Sequence, residues 1–234
     1  MNKLSKILVA VVAMTALSTS VFAGSMSLGL VGSALKAKAS GSETDRLTAA
    51  GANEADTSVR KFSKDATATT GTIYVEYNTD MSWPISFGIE YTPGETSIAK
   101  KSRTDTELSQ TDDTITSALN SKRTAEADLS NFATLYAELP LFAGIYGKVG
   151  MSNMTVTHRN DSGMDGFSHL TGLNLGVGYK RITGGGYILK ASYEETDYDS
   201  ISLRSTNNSV AAETTGVTAD VDTEAFRFSI GKAF

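Results

Sequence analysis

The 234-residue sequence contains no cysteine and only three prolines. The absence of cysteine excludes disulfides, thiolate chemistry and the lipid attachment that lipoproteins undergo behind their leader peptide. Three prolines beside 21 glycines are typical of a fold with many strands and tight turns. The net charge of -5 offers no basic surface for nucleic acid, so we expect no nucleic-acid partner.

Long apolar runs are also missing from the chain. The run Ile7–Leu17 follows two lysines and is too short to cross a bilayer as a helix. Val21 and Ala23 then occupy the positions expected just before a signal-peptide cleavage site. We therefore predict a signal peptide over residues 1–23 and a mature chain, residues 24–234, without a transmembrane helix.

The last nine residues alternate in the manner of a β-strand. Large apolar side chains occupy every second position, and small or charged side chains fill the gaps. A period of two places these sets on opposite faces of a strand. The apolar set contains Phe226, Phe228, Ile230 and Phe234, with Lys232 in the same phase.

Seven earlier segments show comparable alternation and are separated in turn by long polar segments and short turns. The predicted strands cover residues 26–38, 69–78, 85–91, 131–138, 145–158, 170–180 and 187–194, before the strand that ends at Phe234. A short helix is predicted within Thr114–Leu129. This rhythm predicts an all-β fold, an eight-stranded antiparallel up-and-down transmembrane β-barrel with four long external loops.

The sequences of two predicted strands and of the turn between them resemble those of a known family. Leu173–Lys180, a glycine-rich turn and Tyr187–Tyr193 resemble the paired strands of small outer-membrane barrels of the OmpA, OmpX and opacity-protein type. The resemblance implies an outer-membrane location and contact with outer-membrane lipid and lipopolysaccharide. It also implies that the barrel assembly machinery reads the last strand as an assembly signal, formed by Phe226, Phe228, Ile230 and Phe234. No peptidoglycan-binding domain follows, so the anchoring role of two-domain relatives is not expected.

Aromatic residues sort to the two ends of the predicted strands. Barrels carry an aromatic girdle at each membrane interface, where amphipathic rings lie among the headgroups. The turn-end girdle is predicted to contain Tyr77, Trp83, Tyr179, Tyr187 and Phe234. The loop-end girdle is predicted to contain Tyr91, Tyr193 and Phe226.

Charged residues of both signs fall in the inward phase. They are Glu76, Glu90, Glu138, Lys148, Lys190, Glu194 and Arg227. An eight-stranded barrel is just wide enough for side chains to fill, and buried charges need partners. We expect two tiers, an upper one with Glu90, Lys190, Glu194 and Arg227 and a lower one with Glu76, Glu138 and Lys148. Arg227 is expected to reach Glu90 or Glu194. The result is a polar plug or, alternatively, a gate.

Catalytic, cofactor and metal sites are not expected. The two histidines, His158 and His169, border the third loop and do not begin the His-x-Ser pattern of barrel lipid A deacylases. The acidic fourth loop, with Asp197 and Asp199, is expected to be solvated, although divalent cations at the lipopolysaccharide surface are an alternative. The predicted role is structural or surface interaction, with an extracellular ligand bound through the loops. The alternatives are a narrow passive channel and, third, a lipid A-modifying or protease-type barrel enzyme.

Overall fold

The computed structural model describes residues 24–48, 55–111, 114–160, 166–204 and 213–234. The predicted signal peptide lies outside these residues. The strands are β1 (Gly24–Thr48), β2 (Ala55–Thr79), β3 (Ser86–Thr111), β4 (Thr114–Phe142), β5 (Ile145–Asn160), β6 (Gly166–Ile182), β7 (Tyr187–Tyr198), β8 (Ile201–Arg204) and β9 (Glu213–Ala233). Within the described ranges there is no helix long and apolar enough to cross a membrane.

The strands form one closed antiparallel ring. Sequential strands pair from β1 to β7, β7 pairs with β9, and β9 pairs back onto β1. Among the described strands, the short strand β8 pairs only with β9, beyond the point where β7 ends, so it extends the β7 position in the wall. The wall therefore has eight positions, and the prediction of an eight-stranded up-and-down barrel is confirmed.

The strands extend far beyond the predicted boundaries at the loop end. β1 and β2 pair without interruption from Gly24–Thr79 to Thr48–Ala55, although the sequence predicts a polar loop over much of this range. The helix predicted within Thr114–Leu129 is wrong, because this segment is part of β4 and pairs with β3. That pairing satisfies the backbone groups that a helix would have satisfied internally.

Side chains alternate between the membrane-facing surface and the interior. On β6, Leu173, Leu175 and Val177 are at least half exposed, whereas Asn174 between them is buried. The same alternation continues on β9, where Phe228 is 70% exposed. The outward apolar residues form a belt around the ring, as expected for a wall that faces lipid.

The wall is divided between β2 and β3 at the loop end. Their backbone pairing runs from Asn78–Ser86 only as far as Ile73–Tyr91, whereas both strands continue for many residues beyond that point. Just past the last pair, β3 contains Pro93, which has no N–H to donate, and its register with β4 shifts. Toward the loop end, the described residues of β2 therefore pair with β1 alone and those of β3 with β4 alone.

An apolar cluster occupies the interior at the loop end. Its buried members come from seven strands and include Leu129, which has no exposed surface, and Met154, which is 2% exposed. Phe132 and Leu203 pack against the cluster. The interior thus changes from polar at membrane depth to apolar near the loops.

Candidate functional site in the barrel interior

A tier of four charged side chains closes the interior nearest the turn end. Lys180 Nζ lies 2.6 Å from Glu76 Oε1 and 3.0 Å from Glu138 Oε2. Lys190 Nζ lies 2.6 Å from Glu138 Oε1 and also pairs with Glu76. Each carboxylate therefore contacts both lysines. The Glu76 side chain has no exposed surface. We call these four residues the lower tier.

A second tier lies above the first, toward the loops. Lys148 Nζ lies 3.0 Å from Glu90 Oε2 and 2.9 Å from Glu194 Oε2. Arg227 Nη1 contacts the same two oxygen atoms at 2.7 and 2.6 Å. Ser192 adds a hydrogen bond of 3.0 Å to the second oxygen of Glu194. We call Glu90, Lys148, Glu194 and Arg227 the upper tier.

Both tiers are electrically neutral, with two carboxylates and two cations in each. Burial of a charge is tolerated when it is paired and hydrogen-bonded, and each of these carboxylates accepts from two cations. Strands from opposite walls supply the partners, so the tiers also tie the walls together. An ion that crosses the barrel has to displace these pairs.

Three tyrosines enclose the charges. Tyr136 donates a hydrogen bond of 3.0 Å to Glu76, and Lys148 Nζ lies 4.2 Å from the centre of its ring. The ring centres of Tyr74 and Tyr146 lie 5.0 and 5.8 Å from Lys190 Nζ. A cation near an aromatic face is stabilised by the ring quadrupole, and the two lysines in contact with rings, Lys148 and Lys190, are both buried.

Glycine makes room for two of these rings. A Cβ atom at Gly178 would lie 2.6 Å from Tyr146 Cζ, and one at Gly88 would collide with the Tyr136 ring. Both glycines are in the inward phase of strands adjacent to their tyrosine. The Tyr136 and Tyr146 rings can therefore lie inside the lumen because the facing residues, Gly88 and Gly178, have no side chain.

All seven charged residues that were predicted to lie inside the barrel belong to the two tiers. Two of them lie in the opposite tier from the one expected. Lys148 belongs to the upper tier and Lys190 to the lower one, the reverse of the expected assignment. Arg227 contacts both of its expected partners. Lys180 was missed, although its phase with Asn174 and Gly178 was a signal for it.

The predicted girdle residues lie on or near the outer surface. Trp83, Tyr179, Tyr187, Phe226 and Phe234 are exposed, while Tyr77, Tyr91 and Tyr193 are half-buried. Tyr193 and Phe226 pair across β7 and β9, with ring centres 4.9 Å apart. The Trp83 indole N–H donates to the Pro140 carbonyl at 2.8 Å.

The last strand carries the four residues of the predicted assembly signal. Phe226, Phe228, Ile230 and Phe234 all face outward. The backbone N–H of Phe234 donates to the carbonyl of Met26 at 2.8 Å, next to the closure of the ring. Lys232, in the same phase, bends to the turn and donates to the Gly185 carbonyl at 2.7 Å, as an interfacial lysine is expected to do.

Beyond the loop-end girdle the outer surface becomes acidic. Asp197 on β7 lies directly opposite Asp222 on β9. Partial burial and the neighbouring Asp197 carboxyl raise the pKa of Asp222. Lys38 on β1 pairs with Glu224, and that hydrogen bond raises the pKa of Lys38. Within the part of the chain that the structure describes, no three metal-ligating side chains come together.

The histidines lie on β5 and β6 near the loop end. His169 is exposed, its Nδ1 lies 3.1 Å from the hydroxyl of Thr155, and its ring packs against Phe167. His158 lies opposite Gly166 in the β5–β6 pairing. Both are well separated along the strands from the charge tiers.

Comparison with solved structures shows a shared fold. The outer-membrane protein OprG of Pseudomonas aeruginosa is 13% identical over 91% of this chain and 98% of its own, with a TM-score of 0.50. Ail of Yersinia pestis is 14% identical over 87% and 98%, with a TM-score of 0.40. The outer membrane protease OmpT from Escherichia coli is 9% identical over 93% and 100%, with a TM-score of 0.41. No protein-family model and no curated protein matches the chain.

The closed antiparallel ring, the outward apolar belt and the likeness to OprG define the class of the molecule. It has the fold of the small outer-membrane β-barrel proteins. This fold supports an outer-membrane location, the one that the sequence analysis predicted. At these identities, the likeness concerns the fold alone.

Proposed function

We propose that the protein is a non-enzymatic outer-membrane barrel with a structural or surface-interaction role. The observation that carries the proposal is the closed interior. Two neutral tiers of paired charges, with Glu76 fully buried and Glu138 only 3% exposed, fill the lumen at membrane depth. A plug of this kind supports the interaction role over a narrow passive channel.

The unpaired edges at the loop end support an interaction with another molecule. Past Ile73 and Tyr91, no further backbone pair joins the facing edges of β2 and β3 within the described residues. Free strand edges present rows of N–H and C=O groups to which another strand can add. An extracellular ligand that supplies an extended segment fits these edges better than one that needs a deep pocket.

Two further partners follow from the outer surface. The apolar belt with its aromatic borders is suited to outer-membrane lipid, and the acidic surface above it is suited to lipopolysaccharide through bridging divalent cations. The last strand, with Phe228 and Phe234 exposed, is suited to recognition by the barrel assembly machinery.

The exposed position of His169, in contact with Thr155 and Phe167, supports a non-catalytic role for this residue.

The closed lumen is tested by conductance in planar bilayers. We expect the purified wild-type barrel to conduct far less than an open porin, because each ion has to displace buried pairs. Replacement of Arg227 by alanine opens the upper tier and is expected to raise the conductance. The matched control, Arg181→Ala, changes an exposed arginine near the turn and is expected to leave it unchanged. Porin-like conductance of the wild type contradicts the proposal.

The orientation of the hairpins is tested by cysteine labelling, for which the absence of native cysteine is convenient. Lys61→Cys places a thiol on the exposed arm of β2, and Asp80→Cys places one in the turn between β2 and β3. A membrane-impermeant maleimide is expected to label intact cells at position 61 but not at position 80. Labelling at position 80 alone contradicts surface exposure of the hairpins.

A further inference from the structure

The edge of β2 that borders the division of the wall is long and open. Beyond Ile73, the described residues of β2 pair with β1 on one side only, from Thr72 to Ala55. At about 3.3 Å per residue, this edge is about 55–60 Å long. A row of backbone N–H and C=O groups of this kind is a template to which another strand can add.

Two lysines on this edge face uncharged residues of the neighbouring strand. Lys61 and Lys64 are both exposed. The β1 residues that pair with them are Ser42 and Ala39. The edge therefore carries two positive charges that the paired positions on β1 do not neutralise.

The neighbouring charges on the same hairpin are balanced. Arg60 lies opposite Glu43 in the pairing of β2 with β1. Asp65 binds Lys36, with 2.7 Å between Oδ2 and Nζ. The excess positive charge is therefore concentrated at positions 61 and 64 of the edge.

The β3 strand of the same chain is unsuited to cover these lysines. An unbroken continuation of the β2–β3 register would bring Lys64 opposite Lys100. It would also bring Lys61 opposite Arg103. Like charges directly opposite each other destabilise a pair of strands. The same repulsion disfavours the β3 edge of a second copy, so an acidic segment of another protein fits this edge better.

The spacing of the two lysines selects an extended partner. Residues three positions apart on a strand point to opposite faces, so Lys61 and Lys64 lie on the two sides of the edge. A strand that adds to β2 places each residue on the same face as the residue opposite it. Two carboxylates three positions apart in an extended segment can therefore meet both lysines. On a helix, the same spacing puts both carboxylates on one face.

Two apolar residues extend the pattern. Val59 is 60% exposed and shares a face with Lys61. Phe62 is half-buried and shares a face with Lys64. Along an antiparallel partner, the residues that face positions 64, 62, 61 and 59 therefore follow the pattern acidic-x-apolar-acidic-x-apolar, written from the amino end.

Given the surface-interaction role proposed above, we propose that this edge of β2 is a docking site for an extended acidic segment of another protein. The segment adds as an antiparallel strand, with one carboxylate against Lys64 and a second, three residues later, against Lys61. Main-chain hydrogen bonds hold the segment, and the two carboxylates fix its register. A neutral or basic strand leaves the lysines without partners, which prevents unspecific strand addition.

The docking site is tested with fluorescent peptides and the full barrel in lipid nanodiscs. The probe is the blocked nonapeptide Thr-Thr-Glu-Thr-Val-Glu-Thr-Val-Thr, and fluorescence anisotropy measures its binding, which we expect to be saturable. Each cross-strand ion pair is expected to contribute about two- to five-fold. Replacement of both glutamates by glutamine should therefore weaken binding about four- to 25-fold. Equal binding of the glutamate and glutamine peptides overturns the acidic preference and leaves strand addition by neutral segments.

An isomeric peptide separates strand addition from general attraction between charges. With its two glutamates two positions apart, it has the same charge but presents both carboxylates on one face. It can meet only one of the two lysines and is expected to bind about two- to five-fold more weakly than the probe. Equal binding of the two isomers overturns the proposed register.

A matched pair of variants locates the site. Lys61→Gln removes a charge from the edge and is expected to weaken binding of the probe about two- to five-fold. Arg159→Gln removes an exposed charge of the same sign from β5 and is expected to leave the affinity unchanged. The heat-modifiable band in SDS gels verifies that both variants fold. Equal affinity of the two variants overturns the location on β2.

A charge exchange tests which carboxylate faces which lysine. Lys61→Glu is expected to bind the probe poorly and to regain affinity for a peptide whose second glutamate is replaced by lysine. A peptide with lysine in place of the first glutamate should not restore binding, and equal restoration by both peptides overturns the register. If none of the peptides binds the wild type, docking on β2 is wrong. The closed lumen that carries the proposed function is tested separately by conductance, so the two failures are distinguishable.

Discussion

Arg227 on β9 reaches across the lumen to Glu90 on β3, with 2.7 Å between Nη1 and Oε2. The two residues are 137 positions apart in the sequence, and no neighbouring strand pair would bring them together. The same guanidinium nitrogen also contacts Glu194 at 2.6 Å. One side chain thus joins the first half of the barrel wall to the second.

Replacement of Arg227 by alanine is expected to destabilise the barrel. It leaves two carboxylates to share Lys148, and loss of one partner of a buried pair costs about 3–5 kcal/mol, less where water enters. The measurement is the urea midpoint for loss of the heat-modifiable band in SDS gels. Addition of Glu90→Gln restores neutrality and is expected to recover part of the loss. Arg181→Ala serves as the exposed control, and an Arg227 variant as stable as this control contradicts the prediction.

The alternation of the strands assigned seven of the eight charges of the two tiers to the interior, all except Lys180. Arg227 falls between Phe226 and Phe228, and Glu90 between Ile89 and Tyr91, so period two assigns each to the interior. The tier heights were not predictable in this way. Strands in a barrel tilt by about 35–45°. Two residues that are equally many positions from the girdle on different strands therefore need not lie at the same height along the barrel axis.

The polar extensions of the strands were not predictable either. Beyond the membrane no apolar face is needed, so β2 from Ala55 to about Thr70 reads as a loop although it pairs fully with β1. Lys180 was missed although it ends the predicted strand 170–180 in the inward phase of Asn174 and Gly178. Its role depends on Glu76 and Glu138, which reach it from other strands.

The turn between β4 and β5 contains a strained residue that mutation can relieve. Ala143 has φ 49° and Gly144 has φ 84°, the left-handed region that asparagine and glycine favour. Ala143→Asn is expected to stabilise the barrel by about 1 kcal/mol. Gly144→Ala is expected to destabilise it, because the new Cβ would lie 2.9 Å from the Lys180 carbonyl oxygen. The urea midpoints should move in opposite directions, and a shift of both variants in the same direction contradicts this account.

The outward face of the last strand provides a test of assembly. If Phe234 belongs to the signal that the assembly machinery reads, Phe234→Ala is expected to lower the amount of barrel in the outer membrane and to increase degraded precursor. Phe167→Ala is a suitable control, because Phe167 is 68% exposed but lies at the loop end of β6. Quantitative immunoblots of membrane fractions measure both. Unchanged yield for Phe234→Ala rules out this role.

The opposed carboxylates Asp197 and Asp222 predict a stabilising substitution that depends on pH. Like charges directly opposite on neighbouring strands destabilise by about 0.2–1 kcal/mol, so Asp197→Asn is expected to stabilise the barrel by that amount at pH 7. Asp199→Asn, an exposed residue beyond the end of β7, is the control and is expected to have no effect.

The sign of the pH dependence follows from the raised pKa of Asp222, which burial and Asp197 both produce. A carboxyl whose pKa is higher in the folded than in the unfolded state destabilises the fold at a pH where it is ionised in both states. The wild type should therefore gain stability relative to Asp197→Asn as the pH falls from 7 through the raised pKa. Urea midpoints measured from pH 7 to pH 4 are expected to converge. A difference that stays constant over this range means that the two carboxyls do not interact.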